Sequence, residues 1–269
     1  MKKVFTLLVI LTLISSSAFA YDDLLTGARR GVGMPGSIML SGQLVYLTAS
    51  DMLDKDGDSM SLANDTTNIR IPLCASYGIM DNLSGFAILP IVSMDMGGNS
   101  ETGIGDIWLG AKYDVLGMFD VRGALNLGIG DDKKGLGKTG GIGLDIGALG
   151  STTVMDQLML CGQAGLRWSG EDSDTKLQPG IGVYATGAVG YMIQEGTNVS
   201  GELELMTYGD SSFDGNDVTD SAMLNMDLNL SIMQSLSDNL KLSGTVIYTI
   251  MGENSLANMG VLIRCGYSL

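Results

Sequence analysis

Residues 102–116 read TGIGDIWLGAKYDVL. Taken two at a time, Ile107, Leu109, Ala111, Tyr113 and Val115 fall on one face, and Asp106, Trp108, Gly110, Lys112 and Asp114 fall on the other. Successive side chains of a β-strand point to opposite faces. The stretch therefore predicts a strand with one apolar wall and one polar, charged wall. A strand with lipid on one side and water on the other requires that division.

The same alternation recurs along the chain. It predicts twelve strands, at 37–48, 67–77, 83–94, 103–115, 120–130, 140–149, 157–168, 179–191, 198–208, 221–233, 239–251 and 258–269. Most are slightly longer than the ~9–11 residues a tilted strand needs to cross a bilayer. The connections at 77–83, 116–119, 150–156, 192–197 and 234–238 are tight. Those at 49–66, 95–102, 131–139, 169–178, 209–220 and 252–257 are mostly longer and polar. Short turns on one side and long loops on the other describe a bacterial outer-membrane barrel with both termini in the periplasm. A soluble β-sandwich predicts no such alternation. The expected fold class is all-β, a transmembrane antiparallel up-and-down barrel of about 12 strands occupying residues 37–269.

Residues 103–113, GIGDIWLGAKY, resemble the signature strand of an outer-membrane β-barrel family, the MetA-type phenol-degradation-pathway or "transporter" family. Residues 77–83, YGIMDNL, are similar to that family's strand–turn–strand junction. A third segment runs from Gly128-Ile129-Gly130-Asp131 to Gly135-Leu136-Gly137 and resembles its Pro-Thr-Gly-Asp loop entry, with Gly128 and Ile129 at the Pro-Thr positions. The resemblance is fullest over residues 69–150. It implies a barrel that passes small, often hydrophobic molecules, and it brings no catalytic motif.

The N-terminus has Lys2 and Lys3, an apolar run over 4–14, then SSSAFA at 15–20. That order reads as a secretory signal peptide cleaved before Tyr21, and the run is shorter than the ~20 residues of a spanning helix. Residues 21–36, with Arg29 and Arg30, form either a loose periplasmic lead-in or a small plug. No second long apolar run follows. The 3.6-residue stripes and caps of a helical protein are missing too. The formal charge of −15 becomes −17 without Lys2 and Lys3, which excludes nucleic acid as a natural partner. Cys74, Cys161 and Cys265 stand alone in separate strands and form no disulfide framework.

Within the predicted strands, Arg70, Asp106, Lys112, Asp114, Arg122, Asp145, Arg167, Glu202, Glu204, Asp227, Lys241 and Arg264 all fall on the face opposite the apolar one. Trp108 joins them as a lumen-lining residue. A basic side chain facing lipid at mid-bilayer would cost roughly 2–4 kcal/mol. The six acids and six bases balance, so mutual pairing is expected to satisfy them. Arg122 is the expected partner of Asp114, with Lys112 turned towards Asp227 or Glu204. Tyr46, Trp168 and Tyr248 are expected in an outer aromatic girdle, and Tyr77, Tyr113, Tyr191 and Tyr267 in a periplasmic one. Tyr184 and Tyr208 point inward.

The chain has no histidine, which removes Ser-His and Cys-His catalysis, and the expectation is a protein that is not an enzyme. Asp54, Asp56, Asp58 and Asp65 have the spacing of a calcium loop, but Ser59 replaces the turn glycine and the last ligand is Asp. A solvated acidic loop is the simpler reading, and no cofactor is expected. Two functions remain. One is a narrow channel or transporter for small solutes. The other is a structural barrel with a closed lumen whose acidic loops bind cations or lipopolysaccharide. Either requires export to the outer membrane of a Gram-negative-type bacterium, insertion by the barrel-assembly machinery, and a surround of outer-membrane lipid and lipopolysaccharide.

Overall fold

The computed structural model describes residues 34–96, 98–117, 119–130, 136, 141–173 and 176–269. The expected signal peptide, and the lead-in up to residue 33, lie outside these residues. Among the described residues, twelve strands make the wall: β1 (Ile38–Leu53), β2 (Ser59–Met80), β3 (Leu83–Met96), β4 (Trp108–Val115), β5 (Phe119–Asn126) and β6 (Gly143–Met155), then β7 (Leu158–Ser169), β8 (Gly182–Gln194), β9 (Thr197–Tyr208), β10 (Met223–Ser235), β11 (Leu240–Glu253) and β12 (Met259–Ser268). Each pairs antiparallel with its sequence neighbours, and β1 pairs with both β2 and β12. The sheet is a closed barrel. Closure leaves no row of unpaired backbone groups, and Leu269 extends the seam by bonding Ile38 in both directions.

Alternation sorts the side chains. On β12, Val261, Ile263 and Tyr267 are exposed on the outside while Leu262 and Arg264 are buried inside. The outer face repeats this on every strand, with Leu109, Leu125, Ile146, Leu166, Val183, Leu203, Leu230 and Val246 all exposed. A continuous apolar belt of this kind is foreign to a soluble monomer and native to lipid. Tyr46, Trp168, Tyr248, Tyr77, Tyr113, Tyr191 and Tyr267 are exposed on the same outer wall, and Tyr184 and Tyr208 are buried within.

The strand expected at 103–115 is broken. Residues 99–104 pair with the outer half of β3, residues 105–107 carry no strand, and β4 begins at Trp108. The reason lies on β3. Pro90 accepts from the Gly105 N–H at 2.8 Å but has no N–H to return the bond. Pro90 faces Pro72 directly across β2–β3, and the β1–β2 register skips Gln43 and Leu44 beside Pro72. The two prolines thus weaken the ladders on either side of the β2–β3 pair.

Other boundaries shift outward. The expected loop at 49–66 is mostly hairpin, because β1 and β2 run out to a turn at Asp54–Asp58 where Asp54 N–H donates to the Asp58 carbonyl at 2.9 Å. The strand expected at 120–130 stops at Asn126, and the one expected at 140–149 continues to Met155. The loop after β9 folds on itself as Ser211–Phe213 against Asn216–Val218, with Leu177–Gln178 as a third strand.

Candidate functional site

The inner face divides into two arcs of different character. On the first, β4 to β8, an ion network is complete. Asp145 on β6 is fully buried, at 0% exposure, and faces Arg167 on β7 in direct register. Arg167 Nε donates to Asp145 Oδ2 at 3.0 Å, and the Tyr184 hydroxyl donates to Oδ1 at 2.9 Å. Arg122 Nε stands 3.6 Å from the same carboxylate, and its Nη2 donates to the Tyr184 hydroxyl at 3.0 Å. The Arg167 guanidinium also lies 5.6 Å from the centre of the Trp108 ring and 5.8 Å from that of Tyr184. A buried carboxylate with two cations and a hydroxyl on it meets the condition under which a buried charge is tolerated.

Glycines make this geometry possible. Tyr184 on β8 faces Gly165, Gly165 faces Gly147, and Gly147 faces Arg122. The tyrosine lies flat across this row to reach β5 and β6, and a Cβ on Gly165 or Gly147 would collide with its hydroxyl. Gly110 gives Phe86 the same clearance across β4.

The second arc, β9 and β10, is built differently. Glu204 and Asp227 are directly opposed in register, and Glu202 faces Asn229. Asp227 accepts from Thr249 Oγ1 at 2.6 Å and from Asn225 Nδ2 at 2.9 Å, and Glu202 accepts from Asn229 Nδ2 at 3.2 Å. Four oxygens buried here or on the adjoining row have no donor: Glu204 Oε2, Asn225 Oδ1, Asn229 Oδ1 and Gln163 Oε1. Gln163 shares a row with Glu204 through Thr186, to whose hydroxyl its amide donates at 3.2 Å. Further along β9, Met206 and Tyr208 pack with Tyr184 and Met223 in an apolar cluster.

The remaining sequence-marked residues fall into three places. Arg70 and Arg264 are buried inside on β2 and β12, Arg70 with its Nε on Asn68 Oδ1 at 3.1 Å and Arg264 in register with Gln43 and Ser243. Asp106 sits in the break before β4 and not within a strand. There it accepts from the Gly130 N–H at 2.9 Å and the Asn126 amide at 3.3 Å, tying the break to the end of β5. Asp114 and Lys241 lie at the turn ends of the wall. The expected Asp114–Arg122 pair is not formed. Asp114 faces Asp120 and caps the β4–β5 turn through the Gly117 N–H at 2.6 Å. Arg122 faces Lys112 and turns to Asp145 and Tyr184. Uniform pairing of six acids with six bases is thus replaced by one saturated cluster and one carboxylate pair.

The calcium spacing does not become a site. Asp54 Oδ1 is occupied by the N–H groups of Asp56 and Asp58, both at 2.9 Å. Asp56 holds Lys55 at 2.8 Å, a hydrogen bond that raises the Lys55 ammonium above its ordinary pKa. Asp65 is exposed on β2, well beyond the turn in sequence. Among the described residues, no three carboxylates or thiols converge as a metal ion would need. Among the described residues, Cys74, Cys161 and Cys265 are not joined by disulfides.

The family model described as "Putative MetA-pathway of phenol degradation" matches residues 53–264. The chain belongs to this family. Its fold is also that of a solved outer-membrane channel from Pseudomonas putida F1, with 16% identity over 87% of this chain and 96% of that one, at a TM-score of 0.77. The translocator domain of the autotransporter NalP from Neisseria meningitidis is more distant, with 12% identity over 90% of each chain and a TM-score of 0.55. No curated protein matches the sequence. These likenesses extend to the barrel, while the arrangement of the two arcs is read from this chain's own residues. Gln163 and Asn229 were not marked by the sequence. Both are neutral, and only their inward phase on an alternating strand sets them apart.

Proposed function

We propose that this chain is an outer-membrane channel that passes a small, partly apolar solute. The observation that carries the reading is the mixture on the inner face. Ionisable groups are interleaved there with apolar clusters, Ile88 with Trp108 and Ala124 on one side and Val45, Leu47, Ile247 and Leu262 on another. A passage for bulk ions has no use for such clusters, whereas a solute with both an apolar body and a polar group meets partners for each. The barrel sits between small side-chain-filled barrels and wide porins in strand number, so the passage is narrow. Lipid and lipopolysaccharide surround the apolar belt, and residues 1–20 direct export to the assembly machinery.

A second reading, a closed structural barrel, is favoured by one observation: Asp145, Arg167 and Asn229 on the inner face are 0–1% exposed. Conductance of the refolded protein in a planar bilayer separates the two. Stepwise openings, interrupted by small aromatic solutes, are expected of the channel. A correctly folded protein that stays silent at every voltage, and leaves a solute gradient across vesicles intact, overturns it.

A further inference from the structure

The unmatched acceptors on β7, β9 and β10 carry an inference beyond the channel itself, and it rests on that reading only for the route by which a solute arrives. Glu204 is over nine-tenths buried, Asn229 is 1% exposed, and each presents an oxygen with no donor. They are diagonal neighbours across the β9–β10 pair, a relation that spans ~7–8 Å and is bridged by long side chains. The Asn229 amide is turned into the acidic group, where its Nδ2 donates to Glu202 and also acts on Glu204, leaving Oε2 open. The neighbouring groups are already engaged. The oxygens of Asp227 are taken by Thr249 and Asn225. Arg167, the cation acting on Glu204, is committed to Asp145, and Arg264 acts on Glu202. No donor reaches Glu204 Oε2.

On β7, β9 and β10 every side-chain atom left open is an acceptor, and two carboxylates face one another. Their complement is a cation that also donates hydrogen bonds. A metal ion is a poor fit, because the carboxylates are strung along two strands and do not converge. An ammonium group fits, with donors enough for Glu204 Oε2 and Asn229 Oδ1 together. Beside it, on the outer-loop side of Glu204, lies the apolar surface of Met206, Tyr208 and Met223. We infer that Glu204, Asn229 and this surface form a lumen site for a small organic ammonium ion with an apolar or aromatic body.

Benzylammonium titrated calorimetrically into the refolded barrel tests this, with benzyl alcohol and benzoate as neutral and anionic controls of similar shape. Saturable binding of benzylammonium alone is expected. Glu204→Gln should weaken it roughly ten- to a hundredfold, as the loss of a charged hydrogen-bond partner does. Asn229→Leu should weaken it less, and Glu171→Gln on the outer loop not at all. Equal binding of benzyl alcohol, or binding unaltered in Glu204→Gln, overturns the site in favour of a merely apolar lumen or a diffuse acidic surface. Absence of binding by a barrel that is folded by its heat-modifiable mobility also overturns it, leaving the acceptors to water or a shared proton. Binding by a barrel that does not conduct leaves the site standing and defeats the channel. Conductance without binding does the reverse.

Discussion

Asp145 and Glu204 are both inward carboxylates on long strands, yet in opposite circumstances. Asp145 has two guanidinium groups and a phenol on it, and glycines clear the path for the phenol. Glu204 faces another carboxylate and keeps a bare oxygen. A carboxylate satisfied by its own protein holds strands together. One left open at a like charge weakens the wall slightly and is available to something else. The first arc is therefore read as structural and the second as the place where a solute is met.

The strongest way to break this contrast is Asp145→Ala. It leaves Arg122 and Arg167 buried with their common anion gone, which costs about 3–5 kcal/mol when a buried pair loses one partner. Urea unfolding of the barrel from lipid vesicles should show that loss. A change below about 1 kcal/mol would mean that Arg122 and Arg167 are held adequately by the aromatic rings and water, and the arc would lose its structural character.

Why Asp145 matters was only half visible in the sequence. Strict alternation places Asp145, Arg167 and Arg122 on the inner face, and alternation is a property of each strand alone. Which of them meet depends on the register between strands, and turn length plus bulges set that register. Hence the expected Asp114–Arg122 pair failed, although the two lie on adjacent strands. Asp114 is drawn off by a turn N–H that composition does not reveal. The break at 105–107 had the same origin. Pro72 and Pro90 are plain in the sequence, but only the register places them opposite each other. The twelve-strand closure, by contrast, needed no register: an apolar face on every segment and loops of alternating length were sufficient.

A middle-sized effect is expected from Gly165→Val. The new side chain meets the Tyr184 hydroxyl and ring, so the ring must leave Asp145 and Arg122 or the strands must part. Overpacking of this kind costs about 1–3 kcal/mol. Gly187 provides a control, since nothing stands within 4 Å of a Cβ there. Gly187→Val should be far milder in the same unfolding assay, and similar losses at the two positions would detach the glycine row from the tyrosine.

The smallest effect sharpens the comparison most. Glu204→Gln replaces one of two opposed carboxylates by a neutral amide, and like charges directly opposite are destabilising by up to about 1 kcal/mol. The amide also brings a donor to a place where the open atoms are acceptors, beside Asp227 and Asn229 Oδ1. Stability should therefore stay level or rise by up to about 1 kcal/mol, the opposite sign from Asp145→Ala. Asp227→Asn removes the same like-charge opposition but sacrifices one of the acceptors now used by Thr249 and Asn225, so it should gain less than Glu204→Gln. That order follows from which carboxylate oxygen is open and from nothing else in the barrel. If Glu204→Gln instead destabilises as Asp145→Ala does, Glu204 is holding a donor of the protein's own, and the two arcs are one kind of structure.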